Sequence, residues 1–234
     1  MGLSGSLIVL DKMILNIDVF NTKSYILDEK VFKDLSNSRN TGKLIGENIS
    51  YSLNPATFVI NTTTNSRNYL ELDNKISFNN GDEYTIEMFI KLNSDTQKGK
   101  QSLLGNGSIN GNLIFEYLDN FDWKLMYRDV NGNFFDYTDI IHFDITKSWC
   151  NIIITVDNKN IVNVFINGNK IKELEIPNSE FNISRIMGGY EYNGKFQTFM
   201  GCLSNIKVYN KVFNFEEVKQ NINTLSWRYI EHKK

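Results

Sequence analysis

Two glutamates one residue apart, Glu173-Leu174-Glu175, are the nearest approach in this sequence to a catalytic pair. Alternate positions of a β-strand share a face. Glycoside hydrolysis needs two carboxylates flanking the bond, about 5–5.5 Å apart for retention and wider for inversion. This pair follows a tight turn and runs into Pro177, so an exposed strand face is the expectation and catalysis is not. Histidine chemistry is equally thin. His142 has Asp139 and Asp144 near it in sequence, but no cysteine or serine motif, and His232 stands in the C-terminal tail. Zinc sites and histidine-activated nucleophiles both need close partners. No catalytic residue is expected.

Calcium is the one metal left open. Asp129-Val130-Asn131-Gly132-Asn133 has the spacing Asp-x-Asn-x-Asn, with Ile140 where an EF-hand loop needs its bidentate glutamate. Asp119, Asn120 and Asp122 form a second oxygen-rich loop. The candidate ligands are therefore Asp119, Asn120, Asp122, Asp129 and Asn131, and a plain hairpin turn accounts for Asp129 and Asn131 as well. No other cofactor is expected.

Glycan binding asks for aromatic faces beside amide and charged hydrogen-bonding groups, usually on loops. Tyr190-Glu191-Tyr192-Asn193-Gly194-Lys195 is such a loop. Tyr190, Tyr192, Asn193 and Lys195 are its candidate binding residues. The competing reading is a solvated connection whose tyrosines pack on a sheet edge.

The elements that would position these groups are short. Runs such as Met13–Val19, Thr57–Asn61, Tyr69–Leu72, Tyr84–Leu92, Gln101–Gly105, Leu113–Leu118, Asn182–Met187 and Leu203–Tyr209 lie between Asn, Gly and Asp turns, as in an antiparallel sandwich. Two hairpins are predicted. Trp123–Asp129 and Asn133–Thr138 flank Asn131-Gly132, and Ile161–Asn167 meets Lys170–Ile176 at Asn167-Gly168; Asn-Gly suits a type I′ turn. Ile152-Ile153-Ile154 is apolar on both faces and predicts a central strand covered on both sides. Trp123 and Trp149 read as core. One helix is predicted, with Asn214 and Glu217 as a capping box, Phe213 and Val218 as a hydrophobic staple, and Phe215, Val218, Ile222 and Leu225 as its apolar stripe.

The chain has 234 residues, 41% hydrophobic and 13% aromatic, and a net charge of −2. That is enough apolar material for one large core, and the charge gives no broad attraction to nucleic acid or an anionic membrane. Leu7–Leu10 is apolar but Asp11 and Lys12 interrupt it, so no secretion signal is expected and assembly in a cytoplasm is. Met1–Asp11 reads as a leader or assembly arm, or else as an edge strand of the same domain that residues 12–234 form. Cys150 and Cys202 read as two buried thiols, able to pair only if their strands are neighbours.

The order of these pieces resembles the laminin-G-like, concanavalin A-like domains, most of all the version found in phage structural proteins. Met13-Ile14-Leu15-Asn16-Ile17-Asp18 with Asn21-Thr22-Lys23-Ser24-Tyr25 looks like that family's opening, and Phe32-Lys33-Asp34-Leu35-Ser36 like its aromatic-x-Asp-Leu-Ser turn. Tyr84–Lys91, the strand after Trp149, Val164-Phe165-Ile166-Asn167-Gly168 and Phe199–Asn210 continue the match. Phe32 and Phe89 stand where the family has tryptophan. From Trp149 to the helix the chain is also similar to the lectin-like part of clostridial neurotoxin binding regions. The resemblance implies an all-β, two-sheet jelly-roll sandwich with a short C-terminal helix. It also implies a non-enzymatic virion protein of a phage: a head decoration, fibre or tail-associated subunit. Such a subunit would be a homo-oligomer, would pack against other virion proteins and would contact host-surface glycans. A lectin or adhesin outside any virion is the alternative. Hydrolases of this architecture use Glu-x-Asp-x-Glu, and Glu173-Leu174-Glu175 lacks both the Asp and the third carboxylate.

Overall fold

The computed structural model describes residues 8–26, 29–53, 56–61, 67–93, 98–118 and 122–225. In chain order the first ten strands are β1 (Met13–Asp18), β2 (Tyr25–Ile26), β3 (Val31–Phe32), β4 (Gly42–Ile45), β5 (Ile49–Leu53), β6 (Ala56–Ile60), β7 (Tyr69–Phe78), β8 (Tyr84–Leu92), β9 (Gly99–Gly105) and β10 (Asn112–Tyr117). There follow β11 (Asp122–Arg128), β12 (Phe134–Asp136), β13 (Ile141–His142), β14 (Cys150–Val156), β15 (Ile161–Ile166), β16 (Asn169–Glu175), β17 (Phe181–Ile186), β18 (Gly188–Tyr192), β19 (Lys195–Thr198) and β20 (Gly201–Tyr209), then the helix α1 (Phe215–Leu225).

Two antiparallel sheets enclose the core. The eight-stranded sheet runs β16-β15-β14-β8-β20-β6-β5, with β1 also on β20. The ten-stranded sheet runs β12-β11-β10-β9-β17-β7-β4-β3-β2, with β13 also on β11. Strand order jumps along the chain, as a jelly roll requires. All seven residues of β14 are buried between β8 and β15. Ile152 and Ile154 point into the inter-sheet core, while Ile153 joins a second cluster with Phe165, Tyr209, Phe213 and Val218 beneath α1. The expected strand covered on both faces is thus observed, and α1 is its second cover.

The capping box closes as expected. The Asn214 amide donates to Glu217 Oε2 at 3.1 Å, and the Glu217 amide donates to Asn214 Oδ1 at 3.0 Å. Val218 and Leu225 are buried and Ile222 partly so, but Phe215 is exposed and carries Lys219 over its ring. It sits one residue after the cap, where the first turn faces water. The buried stripe is turned instead toward Asn221, which is fully buried beside Val218 and Leu225.

Asn167 and Gly168 both have positive φ, 49° and 82°, the type I′ turn expected there. The Asn131-Gly132 turn differs. Only Gly132 is positive, at 91°, and its amide bonds to the Asp129 carbonyl, so Val130 and Asn131 are the central residues and Gly132 forms the bulge. Trp149 is half-buried rather than core, whereas Trp123 is fully buried and donates from its indole to the Phe143 carbonyl at 3.1 Å. β2, β3, β4, β5, β13, β18 and β19 are additional to the strands expected. Cys150 and Cys202 are both free. They pair with neighbouring residues of β8, Ile90 and Lys91, from opposite sides of that strand. Two strand spacings, about 9.5 Å, separate them, beyond the reach of a disulfide.

Candidate ligand-binding face

The residues expected to form a loop at 190–195 form a ribbon instead. β18 and β19 pair with each other, and Asn193 and Gly194, at φ 49° and 73°, make a second Asn-Gly type I′ turn. The ribbon belongs to neither large sheet. It folds back across the outer face of the ten-stranded sheet, over β9 and the start of β7. Met187 makes the departure possible. It is buried with φ 62°, a left-handed conformation that costs a non-glycine residue about 1–2 kcal/mol, and its amide is held by the Leu103 carbonyl at 2.6 Å. Gly188 follows because there is no room for more. A Cβ there would stand 2.9 Å from Tyr69 Cβ.

The ribbon separates the four candidate residues. Tyr190 is turned inward, 5% exposed, while Tyr192 is 49% exposed. Asn193 and Lys195 are exposed at the tip. Burial raises the Tyr190 phenol above its ordinary range; the Arg128 guanidinium nearby pulls it down and Tyr192 adds to the rise. Arg67 braces the ribbon from the sheet side, over the Phe196 ring at 4.9 Å and 3.7 Å from Glu191.

Across the same sheet runs a register row of polar residues, from β11 to β7. Trp123, Leu125 and Tyr127 of β11 face the core, so Lys124, Met126 and Arg128 face outward. Arg128 pairs with Asn112 of β10, and Arg185 of β17 lies between Gly105 of β9 and Glu71 of β7. The Arg185 guanidinium stacks on Tyr69 at 4.5 Å and approaches Glu71 at 3.8 Å. Among the described residues Arg128 has no such carboxylate. Its guanidinium lies over the Phe134 ring at 5.0 Å, where Lys100 also arrives at 4.3 Å. Phe134 remains 44% exposed. Arg128 Nε and Asn110 Oδ1 are both buried without a hydrogen-bond partner. Ile114 and Met126, buried but outside the inter-sheet core, form an apolar floor beside them.

The metal candidates lie apart. Asp122 and Asp129 stand at opposite ends of β11, roughly 24 Å along a strand of that length. Asp122 Oδ1 is 2.8 Å from His142 Nδ1, and Asp119 and Asn120 lie outside the described residues. Asp129 is buried and committed: its Oδ1 accepts from the Asn131 and Asn133 amides at 2.9 and 2.7 Å, and its Oδ2 from Asn133 Nδ2 at 3.1 Å. Asp157 does the same with the amides of Lys159 and Ile161 at the β14–β15 turn. Asp129 is thus a turn-former, and Asn131 contributes its backbone to it. No group of three or more His, Cys, Asp or Glu among the described residues is arranged to hold a metal ion.

Glu173 and Glu175 lie on the edge strand β16, exposed, with Lys170 2.5 Å from Glu173. His142 is exposed. A surface depression of about 390 Å³ opens at the Asp34 turn, lined by Lys23, Lys33 and Arg39. Asp34 is occupied by donors from Asn16, Ser36 and Asn40.

With this architecture in view, the sequence profile of a laminin-G-like family, described as the concanavalin A-like lectin/glucanases superfamily, matches residues 64–219. The chain belongs to that superfamily. No curated protein matches it in sequence. Among solved structures it is similar to the binding domain of Paraclostridial Mosquitocidal Protein 1, at 19% identity and TM-score 0.61, over 92% of this chain and 52% of that one. It is similar to domain 4 of AbnA, a GH43 extracellular arabinanase from Geobacillus stearothermophilus in complex with arabinotriose. There the identity is 15% and the TM-score 0.61, over 90% and 98% of the two chains. It is also similar to the binding domain of botulinum neurotoxin DC in complex with rat synaptotagmin II, at 12% identity and TM-score 0.60, over 92% and 52%. The chain therefore spans about half the length of the toxin binding domains it matches.

Proposed function

We propose that this chain is a non-catalytic glycan-binding domain, with its ligand on the outer face of the ten-stranded sheet against the β18–β19 ribbon. The observation that carries this reading is the ribbon itself. It is built at the cost of a left-handed Met187, leaves Tyr192 half exposed, and turns Tyr190 inward within electrostatic reach of Arg128, whose register partner is the exposed Phe134. Sugar rings stack on exposed aromatic faces, and their hydroxyls need directional partners beside the ring. Asn110 and Arg128, both half-buried, have hydrogen-bonding atoms that no other group fills. The family match and the arabinotriose-bound relative agree with this class of ligand. Glycan-array binding by the purified chain tests it. Binding should fall at least tenfold in the Tyr192→Ala/Phe134→Ala double variant with unchanged melting; binding that ignores both rings would refute it.

The likeness of residues 13–25 and 32–36 to phage structural proteins favours a setting for that activity: a subunit of a virion that holds host-surface glycans, assembled as a homo-oligomer with other virion proteins. Detection of the chain in purified particles tests this, and its absence from them leaves the free lectin or adhesin.

A further inference from the structure

We propose that the glycan held on this face is an acidic one, and that Arg128 anchors its carboxylate or sulfate group. The inference rests on the glycan-binding reading and adds the class of sugar to it.

Arg128 is half-buried with Nε sealed from water, and among the described residues its guanidinium has neither a hydrogen-bond acceptor nor a carboxylate. Moving a guanidinium partly out of water without an acceptor costs free energy, so an unpaired one in a formed site is waiting for an anion. Its neighbour in the same row shows the contrast: Arg185 has Glu71. Lys100, which stands opposite Glu116 in register but makes no ion pair among the described residues, converges with Arg128 on Phe134. Two cations therefore flank one exposed ring. Next to Arg128, Asn110 Oδ1 is an acceptor without a donor, and Tyr190 is near enough for the guanidinium to act on its phenol. A Cβ placed on Gly132 would be 3.6 Å from Arg128 Nη2 and 3.5 Å from Asn110 Oδ1, so both groups border the same small space. Oxyanion, hydroxyl and apolar ring face are the three parts of an acidic sugar, and each finds a counterpart here. The chain as a whole carries a net charge of −2, so such selectivity comes from the site and not from the bulk field.

Affinity electrophoresis of the full chain tests the inference. The probes are polygalacturonate against its fully methyl-esterified form, and dextran sulfate against dextran. We expect retardation by one charged polymer of a pair and little by its neutral counterpart; the pair that responds distinguishes carboxylate from sulfate. Arg128→Gln should weaken that binding at least about tenfold, Arg128→Lys should restore part of it, and melting should be unchanged. Lys23→Gln/Lys33→Gln, at the depression beside Asp34, should have no effect. Equal binding to charged and neutral polymers, unchanged in Arg128→Gln, would overturn the acidic class and leave the glycan reading standing. An equal loss in the Lys23→Gln/Lys33→Gln variant would also overturn it, because the attraction would then be diffuse charge. Binding to none of the four polymers would overturn this inference, while the array would decide the broader reading separately.

Discussion

Glu87 of β8 and Lys207 of β20 face each other in register, 3.5 Å apart, and neither side chain reaches water. They lie on the face of the eight-stranded sheet that α1 covers. Asn221 of the helix donates to Glu87 Oε2 at 2.8 Å and Asn151 to Oε1 at 3.2 Å, while Lys207 Nζ donates to Asn205 Oδ1 at 3.1 Å. The carboxylate thus joins the helix to the sheet. A buried pair of this kind contributes little net stability against an apolar replacement, but breaking it leaves a lone buried charge. Lys207→Met should therefore cost about 3–5 kcal/mol. The Glu87→Gln/Lys207→Met double variant should recover part of that loss, because no charge is left uncompensated. Urea denaturation of the wild type, Glu87→Gln, Lys207→Met and the double variant measures it; a double variant as unstable as the sum of the singles would contradict the pairing.

Asp129 serves its turn with three acceptor contacts. Asp129→Ala removes the acceptor of two part-buried turn amides and should cost about 1 kcal/mol. Asp157→Ala, at the matching turn, should cost a similar amount. If calcium were bound through Asp129, added calcium would raise the melting temperature of the wild type and not of Asp129→Ala. The turn role predicts the same difference between the two proteins with calcium and with a chelator.

Alkaline pH should unfold this protein. Burial, the largest cause in each case, holds the phenols of Tyr84, Tyr127, Tyr137 and Tyr209 above the ordinary tyrosine range, with Glu87 adding to the rise at Tyr209. Below about pH 10 all are neutral in both states and the fold's preference for the neutral form is fully present. Above it the unfolded chain releases those protons and the folded chain retains them, so stability falls as pH rises. Absorbance of tyrosinate and far-ultraviolet circular dichroism should show these four ionising together with unfolding. Smooth ionisation of all 11 tyrosines in a still-folded chain would refute it.

Much of this was legible in sequence where local chemistry decides. The Asn214–Glu217 box and the Asn167-Gly168 turn need only neighbours in the chain. The ribbon carried the same Asn-Gly signal at 193–194, but Tyr190-Glu191-Tyr192 alternates as a strand without a core to face, and so reads as a loop. β5 alternates openly as Ile49-Ser50-Tyr51-Ser52-Leu53. It was obscured by the Asn and Gly before it. Arg128 was legible as outward-facing from the period of β11. That it lacks a partner was not, because its surroundings, Asn110 and Phe134, come from other strands and turns. Asn221 was hidden for the same reason: a polar residue on the buried side of α1 makes sense only once Glu87 lies beneath it.

The chain just before β1 is tied into the sandwich. Met1–Leu7 lies outside the described residues. Beyond it Leu10 is exposed, but Val9 is buried in the cluster beneath α1 and Ile8 packs beside it. The Val9 amide donates to Asn221 Oδ1 at 2.7 Å, the same side chain that holds Glu87. Deleting residues 1–11 therefore removes apolar contact from the second cluster and a donor from a buried amide, together about 2–4 kcal/mol. Val9→Asp should approach that loss by itself, and deleting only residues 1–6 should not. Thermal melting compares the three. The assembly role proposed for the leader is read from the same proteins by mass in solution. If deletion of residues 1–6 dissociates an oligomer without lowering the melting temperature, the outer part of the leader is the assembly arm and Ile8–Val9 is its anchor. If mass is unchanged in every variant, the leader serves only its own sandwich, and the assembly arm is refuted.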